Sequence, residues 1–336
     1  MGNKNTNLQS AKRNRDDEFY TTYETIEKEL SHYVKHFENK TVFCNCDDPF
    51  ESNFCLFFLK KFNEFKLKRL VCTSYYLSKV AKRHICKKNG QKKGYVLDID
   101  KMPLNLNDGE EILTYLIAEG LIKQLDGTGD FRSEECLTYL DNADIVVTNP
   151  PFSLFRELFI EITKRNKKFL LIGNQNALTY KEIFPQIIDN KVWTGYQFGE
   201  MEFMVPKNTK ARNTRYWVDS NGQKWRSLGN AMWLTNMDID RRHEWLNLTK
   251  KFAENDYRKY DNFDAIHVPS IRDIPKDYTG VMGVPITIIN RYNSEQFEIV
   301  GEANHGSDNE YDLFKPTIDG KEIFKRILIK NKRPEV

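Results

Sequence analysis

The sequence has 336 residues, of which 40% are hydrophobic and 29% charged, a composition typical of a globular protein with a full apolar core. It contains no run of eighteen apolar residues, and its first sixteen residues are polar and basic. A membrane span and a secretory signal are therefore excluded, and a cytoplasmic location is expected. The net charge of +3 neither favours nor opposes a nucleic-acid partner.

The N-terminal arm, residues 1–16, is predicted to be disordered because it is polar and basic. The cysteines show no spacing typical of a metal site, and most lie among apolar residues, so reduced, buried thiols and no bound metal are expected. These cysteines are Cys44, Cys46, Cys55, Cys72, Cys86 and Cys136.

The first half of the chain alternates short β-branched or aromatic runs with longer helical patterns, which predicts a parallel sheet with crossover helices. The predicted helices cover residues 23–37, 53–65, 108–121 and 154–164. The predicted strands cover residues 41–46, 69–74, 95–99, 143–148 and 168–172. Residues 17–175 are thus expected to form one α/β domain.

Beyond residue 175 the alternation breaks down, and Asn, Gly and Asp become frequent over residues 207–230. We interpret residues 176–276 as a second, loop-rich region. Strand character returns at 284–290, 297–301 and 325–329. These strands are predicted to complete the first sheet, so that residues 277–336 belong to the first domain.

A hydrophobic strand over residues 144–148 stops at the turn Asn149-Pro150-Pro151-Phe152, which leads into a helix. This places Asn149 at the carboxyl end of a strand, where open parallel sheets bind their ligands. The two prolines fix φ, so the turn is stiff. They also remove two N–H donors, so no N–H group of the prolines can bond to the carbonyl groups of the turn.

The Asn149 turn suits methylation of an exocyclic amine on a base. Such an amine is a weak nucleophile until acceptors hold both of its N–H groups. The Asn149 side-chain oxygen and the Pro150 carbonyl are expected to supply them, while Phe152 offers a face on which the base stacks. The alternative is that the prolines and Phe152 only cap a strand in a buried corner.

Three further segments are candidates for binding a methyl donor. In Asp47-Asp48-Pro49 a carboxylate would hold an ammonium group, or the segment is an ordinary Asp-Pro turn. In residues 127–133 Asp130 would accept from an adenine amine and Phe131 would cover its ring, or the segment is a flexible glycine loop. The third segment, residues 17–21, precedes the first helix, where Thr21 or Thr22 would also serve as a plain N-cap.

Together these residues resemble a known family, the EcoRI-type adenine-specific DNA methyltransferases. The resemblance extends over nearly the whole chain, and long matches in order are more specific than one turn. The matching stretches are residues 17–21, 44–54, 129–133, 144–156, 233–236, 277–286 and 326–330.

The resemblance implies a Rossmann-like S-adenosylmethionine-dependent methyltransferase fold with an inserted, loop-rich target-recognition region at 176–276. It implies a monomer that methylates adenine N6 in double-stranded DNA, with a cognate restriction endonuclease, where one exists, as a separate chain. The target base would contact Asn149, Pro150, Pro151 and Phe152. The cofactor, S-adenosyl-L-methionine, would contact Phe19, Tyr20, Thr21, Asp47, Asp48, Pro49, Asn53, Asp130 and Phe131.

The loop after the first strand is not glycine-rich, and the second strand ends at Thr73-Ser74-Tyr75 without the usual carboxylate for the ribose. An RNA adenine or protein glutamine N-methyltransferase and a non-catalytic DNA-binding protein remain alternatives. Cations of the second region would face DNA or form ordinary helix-face charge. They are Arg212, Arg215, Lys224, Arg226, Arg241 and Arg242.

Basic clusters also occur at residues 82–93 and at the C-terminus. Each cluster would contact phosphates or form a solvated face.

Overall fold

A ten-stranded sheet forms the centre of the first of two structural units. The computed structural model describes residues 19–76, 93–303 and 315–335. The first unit comprises residues 1–177 and 195–237, and the second comprises residues 178–194 and 238–336. The predicted N-terminal arm, Cys86 and nearly all of the basic stretch at 82–93 lie outside the described residues.

The strand order of this sheet is β1-β8-β10-β7-β6-β2-β3-β4-β5, and β9 pairs with β10 beside that path. The strands are β1 (Tyr20–Thr21), β2 (Thr41–Cys44), β3 (Arg69–Ser74), β4 (Tyr95–Ile99), β5 (Ile122–Gln124), β6 (Ile145–Thr148), β7 (Lys168–Asn174), β8 (Trp193–Val205), β9 (Tyr216–Val218) and β10 (Lys224–Thr235).

The centre of the sheet is parallel and its flanks are antiparallel. Strands β3, β2, β6 and β7 run parallel to one another. Strands β4 and β5 on one side, and β10 on the other, are antiparallel to the strands they join. All four residues of β2 and of β6 are buried, as expected for strands covered on both faces. The predicted α/β, Rossmann-like fold is confirmed.

The described part of the first unit contains the helices α1 (Tyr23–Leu30), α2 (Val34–Phe37), α3 (Asn53–Lys61), α4 (Gly109–Ala118), α5 (Glu134–Asn142) and α6 (Phe155–Lys164). Four of them begin at polar caps, where a Ser, Thr or Asp oxygen accepts from a first-turn amide. The single helix predicted over 23–37 is interrupted by a 3-10 turn at Ser31–Tyr33.

The first sheet extends beyond the domain boundary that the sequence predicts near residue 175. Strands β8 and β10 come from the region at 176–276, yet they belong to the same sheet as β7. Residues 231–235 of β10 pair with β7 over five positions. The hydrophobic pattern marks short strands, but it does not state which sheet they join.

The second unit contains its own four-stranded sheet in the order β11-β12-β16-β13, with a separate pair β14-β15. Its elements are α7 (Phe184–Ile188), β11 (Ile266–His267), β12 (Met282–Val284), β13 (Phe297–Ala303), β14 (Thr317–Ile318), β15 (Lys321–Glu322) and β16 (Arg326–Asn331).

The C-terminal strands therefore pair with one another instead of completing the first sheet. The strand predicted over 284–290 is wrong beyond Val284, because Pro285 leads into 3-10 turns over Ile286–Arg291. Buried residues of this unit include Tyr260, Val281 and Leu328. In neither unit is any described helix long and apolar enough to cross a membrane.

Candidate active site at the carboxyl ends of β2 and β6

Strands β2 and β6 lie side by side at the point where the order of the parallel strands reverses. From β2 the chain continues to β3 on one side, whereas β6 and β7 follow on the other. Ligands of open α/β sheets bind beyond the carboxyl ends of such strands. Asp47 follows β2 by three residues and Asn149 follows β6 directly, so the sheet brings these two predicted residues to one edge.

The amide of Asn149 is held in one orientation by the first described strand. Its Nδ2 donates to the Phe19 carbonyl at 2.6 Å and to the Thr21 hydroxyl at 3.1 Å. These two bonds account for both N–H groups of the side chain. The remaining polar atom, Oδ1, carries only lone pairs and is fixed as an acceptor.

Strand β1 is itself held by a hydrogen bond from α3 and by pairing with β8. Asn53, near the start of α3, donates its Nδ2 to the Thr21 carbonyl at 2.7 Å. Tyr20 pairs with Met204 of β8 in an antiparallel register. The structure thus gathers Asn53 and residues 19–21, which the resemblance assigns to the cofactor, directly around Asn149.

The turn after Asn149 is rigid and leads straight into α6. The Pro151 carbonyl accepts from the Leu154 amide at 2.8 Å, which forms the 3-10 turn Phe152–Leu154 that precedes this helix. The Phe152 ring stacks on Phe19 with centroids 5.4 Å apart and planes inclined by 25°. The Phe203 ring packs against the same Phe19 ring, with centroids 5.5 Å apart and planes inclined by 63°.

Asp47 is buried and links the loop after β2 to the strand that carries Asn149. Its Oδ2 accepts from the Thr148 hydroxyl at 2.6 Å, and its Oδ1 accepts from the Ser52 hydroxyl at 2.7 Å. Burial raises the pKa of Asp47 to about 7, against these two hydrogen bonds, which lower it. Ser52 also caps α3. The Asp47 side chain therefore connects the loop after β2 to the start of α3 and to the end of β6.

The segment Asp48-Pro49 forms a tight turn before α3. Asp48 Oδ1 accepts from the Phe50 amide at 2.9 Å, and its carbonyl accepts from the Ser52 amide at 2.9 Å. A largely apolar cavity between α3 and α4 reaches this turn, but none of residues 149–152 lines it. Its walls are Pro49, Phe50, Glu51, Ser52, Leu56, Leu59, Gly109, Glu110, Ile112, Leu113 and Leu116.

The glycine loop at 127–133 lies against the carboxyl end of β3, beside β2. Gly129 has φ +74°, and a Cβ there would lie 2.0 Å from the Ser74 carbonyl oxygen, so only glycine fits. The Tyr76 amide donates to the Thr128 carbonyl at 2.8 Å, which fixes the other side of the loop. The loop therefore has a defined place at the edge that carries Asn149.

Asp130 within this loop is paired with Arg132. The guanidinium donates to both carboxylate oxygens, at 2.9 and 2.7 Å, and also to Glu157 at 2.9 Å. Burial opposes ionisation of Asp130, but the hydrogen bonds and charge of Arg132 outweigh it, so the pKa of Asp130 is lowered. Phe131 is buried, and the Arg132 guanidinium lies 5.4 Å from its ring centroid.

Several residues of this site are not among the sequence predictions. Thr148 and Ser52, which hold Asp47, are hydroxyl residues next to predicted ones, and that adjacency is their only sequence signal. Asn45 and Thr73 lie at the carboxyl ends of β2 and β3, and each has a buried oxygen with no hydrogen-bond partner in the described part of the chain. A buried polar atom of this kind calls for a partner.

The cysteines that the structure describes are all unpaired thiols, and four of the five are buried. Burial raises the pKa of Cys44 to about 11, chiefly by desolvating the thiolate. Over residues 19–76, 93–303 and 315–335 no group of three or more His, Cys, Asp or Glu side chains is arranged to hold a metal ion.

Comparison with known proteins identifies the family. The family model described as adenine-specific methyltransferase EcoRI matches residues 7–332. The Type II methyltransferase M.EcoRI of Escherichia coli is 44% identical over 330 residues, covering 97% of this chain and 96% of that protein. The Type II methyltransferases M.MgeORF184P of Mycoplasma genitalium and M.MpnI of Mycoplasma pneumoniae are 36% and 33% identical.

Each Mycoplasma relative covers 86% of this chain, which in turn covers 84% and 83% of those proteins. The matches include the Asn149 turn, the segment after β2 and the glycine loop, because the family model runs through all three. The chain therefore belongs to the EcoRI family of adenine-specific methyltransferases.

Proposed function

We propose that this chain transfers a methyl group from S-adenosyl-L-methionine to N6 of adenine at specific sites in duplex DNA. Membership of an adenine-specific methyltransferase family supports the reaction class. The observation that carries the proposal is the Asn149 amide, whose nitrogen is fully used inside the protein and whose oxygen is fixed as an acceptor beside Phe152.

The turn would activate the amine by accepting its protons. The lone pair of adenine N6 is delocalised into the ring, and it becomes nucleophilic when both N–H groups are held in a pyramidal geometry. Asn149 Oδ1 and the Pro150 carbonyl would supply the two acceptors, with Pro151 keeping the turn rigid. Phe152, backed by Phe19, would stack on the base. The methylated amine loses its proton readily, so no strong general base is required.

The carboxyl edge of the sheet has the features that a bound S-adenosylmethionine requires. The cofactor supplies an electrophilic methyl group on a sulfonium, together with hydroxyl, ammonium and amine donors. The buried, unpartnered oxygens of Asn45 and Thr73 lie at this edge and would accept from such donors. The residues present thus fit the cofactor.

The cofactor contacts are assigned by charge and shape. Asp48, with Pro49 shaping its turn, would hold the ammonium of the methionyl part. Asp130 stays ionised beside Arg132 and would accept from the adenine amine, while Phe131 would cover the ring. Asp47, Asn53 and residues 19–21 would form the boundary between cofactor and target base. Asp47 bonds to Thr148, Phe19 and Thr21 bond to Asn149, and Asn53 bonds to the Thr21 carbonyl.

We infer that the protein acts as a monomer and that the region at 176–276 recognises the target sequence. The relatives are Type II methyltransferases, so a cognate restriction endonuclease would be a separate chain. Strands β8 and β10 of this region join the sheet of the Asn149 turn, which would connect recognition directly to chemistry.

The test is to sequence DNA from cells that express the protein while identifying modified adenines. N6-methyladenine at one short sequence is expected, and its absence in cells that express Asn149→Ala is the control. Methylated adenine in RNA, or methylated glutamine in protein, without any DNA mark would contradict the proposal in favour of those alternatives. Site-specific DNA binding without transfer would favour a non-catalytic protein.

A further inference from the structure

Between the end of β8 and the part of β10 that pairs with β7, the chain makes an excursion that the proposed chemistry does not use. A connection over residues 206–215 leads to β9, and a turn over residues 219–223 returns to β10. Strand β9 pairs only with the first residues of β10, in the register Tyr216 with Arg226, Trp217 with Trp225, and Val218 with Lys224. We call residues 216–226 the β9–β10 ribbon.

Both ends of this excursion meet at Phe19. Strand β8 ends beside β1, where Met204 pairs with Tyr20. At the other end, the Arg226 guanidinium lies 5.3 Å from the centroid of the Phe19 ring. The same ring stacks on Phe152, so the base of the ribbon lies at the Asn149 turn.

The excursion is strongly basic. Residues 206–226 contain six Lys or Arg side chains and one acidic side chain, Asp219. The Asp219 carboxylate is used within the ribbon, since it accepts from Trp225 Nε1 at 2.9 Å and from the Gln223 amide at 3.0 Å. Four of the basic side chains are exposed, and they are Lys207, Lys210, Arg212 and Arg215.

The ribbon also exposes apolar groups. Val218 is 51% exposed and Trp217 is 36% exposed. Because successive residues of a strand face opposite sides, Val218 lies on the same face as Tyr216, Lys224 and Arg226. Trp217 and Trp225 stack on the other face with their planes inclined by 5°, which stiffens the ribbon.

We propose that the β9–β10 ribbon enters the major groove of the duplex beside the target adenine, while the basic connection at 206–215 contacts the flanking phosphates. This inference rests on the proposed function. The major groove admits a two-stranded ribbon, and adenine presents N6 in that groove. The excess of positive charge complements the phosphates of a duplex.

The face that carries Val218 predicts which base pairs each residue would contact. The pair Tyr216 and Arg226 lies nearest the Asn149 turn, and the pair Val218 and Lys224 lies two residues farther out. Two residues of a strand span about 6.7 Å, close to two base-pair steps of B-DNA at about 3.4 Å each. Arg226 would read the base pair next to the target, and Val218 would contact a base edge about two steps away.

The test compares Val218→Glu with Val34→Glu in the full chain. Val34 is 37% exposed and lies in α2, before the amino end of β2 and thus at the opposite edge of the sheet from Asn149. We expect Val218→Glu to raise the KM for a cognate duplex at least tenfold, with unchanged S-adenosylmethionine affinity and denaturation midpoint. Val34→Glu should leave the KM for the duplex unchanged.

A second variant, Lys210→Gln with Arg212→Gln, covers the case in which Val218→Glu does not fold. Loss of each phosphate contact should reduce the slope of log K against log salt concentration by about 0.9. If Val218→Glu methylates the duplex with wild-type kcat/KM, or if the double variant keeps the wild-type salt slope, the ribbon proposal is overturned. If the wild type methylates no duplex at all, the proposed function fails instead.

Discussion

Under the proposed function, the hydrogen bonds of Asn149 fix the orientation in which its oxygen would accept from the target amine. Its Nδ2 has two partners, and the Thr21 hydroxyl is the one that substitution can remove. Thr21→Val should lower kcat about two- to tenfold, because one neutral hydrogen bond contributes about 0.5 to 1.5 kcal/mol and the bond to the Phe19 carbonyl remains. The affinity for S-adenosylmethionine should stay within a factor of two.

The control for this prediction is Thr22→Val. Thr22 caps α1 by accepting from the Thr25 amide, so its loss should reduce the free energy of unfolding by about 1 kcal/mol and leave kcat unchanged. Single-turnover methylation and denaturant unfolding measure the two effects separately. A Thr21 variant with wild-type kcat would show that Asn149 is oriented without this bond.

A substitution of Asp130 tests the proposed position of the cofactor's adenine pocket. Asp130→Ala should weaken S-adenosylmethionine binding by about 1 to 3 kcal/mol through the loss of one charge-assisted hydrogen bond. It also removes the partner of Arg132, so Glu157→Ala, which removes the other carboxylate of Arg132, is the matched control. Calorimetry that shows equal losses for both variants would place the adenine pocket elsewhere.

The sequence singles out the Asn149 turn, but it does not reveal the residues that hold this turn in place. The Asn149 turn is contiguous, so its stiffness and its position at a strand end can be read directly from the residues. The Phe19 carbonyl lies 130 positions away, and Asp47 and Thr148 are 101 positions apart. These contacts depend on which strands become neighbours in the sheet, and no local pattern encodes that.

Among the elements, the glycine loop allows two physical effects to be separated. Gly129→Ala combines a positive φ with a clash against the Ser74 carbonyl, so we expect it to cost about 1 to 3 kcal/mol of stability and to weaken cofactor binding. Gly120→Ala shares the positive φ, +63°, but meets no atom within 4 Å. Gly127→Ala meets only Glu135, at 3.5 Å.

We therefore expect Gly129→Ala to be the most damaging of the three in thermal unfolding and the only one that reduces S-adenosylmethionine affinity. Equal losses for Gly129→Ala and Gly120→Ala would show that φ alone matters and that the approach to Ser74 has no role in the site.

The element predictions succeed where a short strand contains consecutive aliphatic residues or a helix has a clear cap. Strands β3 and β4 agree with their predicted bounds at every residue. Strand β8 was not predicted, and one reason is a contact that is remote in sequence. Its Tyr196 and Gln197 amides donate to the buried Glu29 carboxylate of α1, at 2.8 Å each. Burial raises the pKa of Glu29. The residues of β8 alone do not reveal that this side chain holds the strand in place.

For the molecule as a whole, the raised pKa of Asp47 should make the free energy of unfolding depend on pH. The pKa of Asp in an unfolded chain is about 3.9, whereas the pKa of Asp47 in the folded protein is about 7. The folded state therefore keeps this proton to a higher pH than the unfolded state does. The free energy of unfolding should therefore fall as pH rises from about 4 to 7, by at most about 1.4 kcal/mol per pH unit from this group. Asp47→Asn should flatten that fall in urea denaturation, while Glu29, whose pKa burial also raises, leaves a slope of the same sign. A slope unchanged by the substitution would contradict the assignment.

Under the proposed function, we expect the target adenine to leave the duplex before N6 reaches Asn149, because a stacked base offers no in-line approach to the turn. We expect 2-aminopurine at the target position to brighten when the protein binds, and a mismatch opposite the target to tighten binding by removing part of the unpairing cost. Phe152 should recover roughly 1 to 3 kcal/mol of stacking.

Phe152→Ala should accordingly weaken the complex and slow transfer more than Phe152→Tyr, which keeps an aromatic face. A probe that stays quenched in a saturated, site-specific complex, or equal affinity for mismatched and paired targets, would rule out base flipping.

The contact of Asn149 with strand β1 has a practical consequence for handling the protein. The acceptors that hold the Asn149 amide belong to residues 19 and 21, so a bulky group attached directly before Phe19 would crowd the Asn149 turn. A shortened gene product that starts after Thr21 should keep the parallel core of the sheet yet leave newly replicated DNA unmarked.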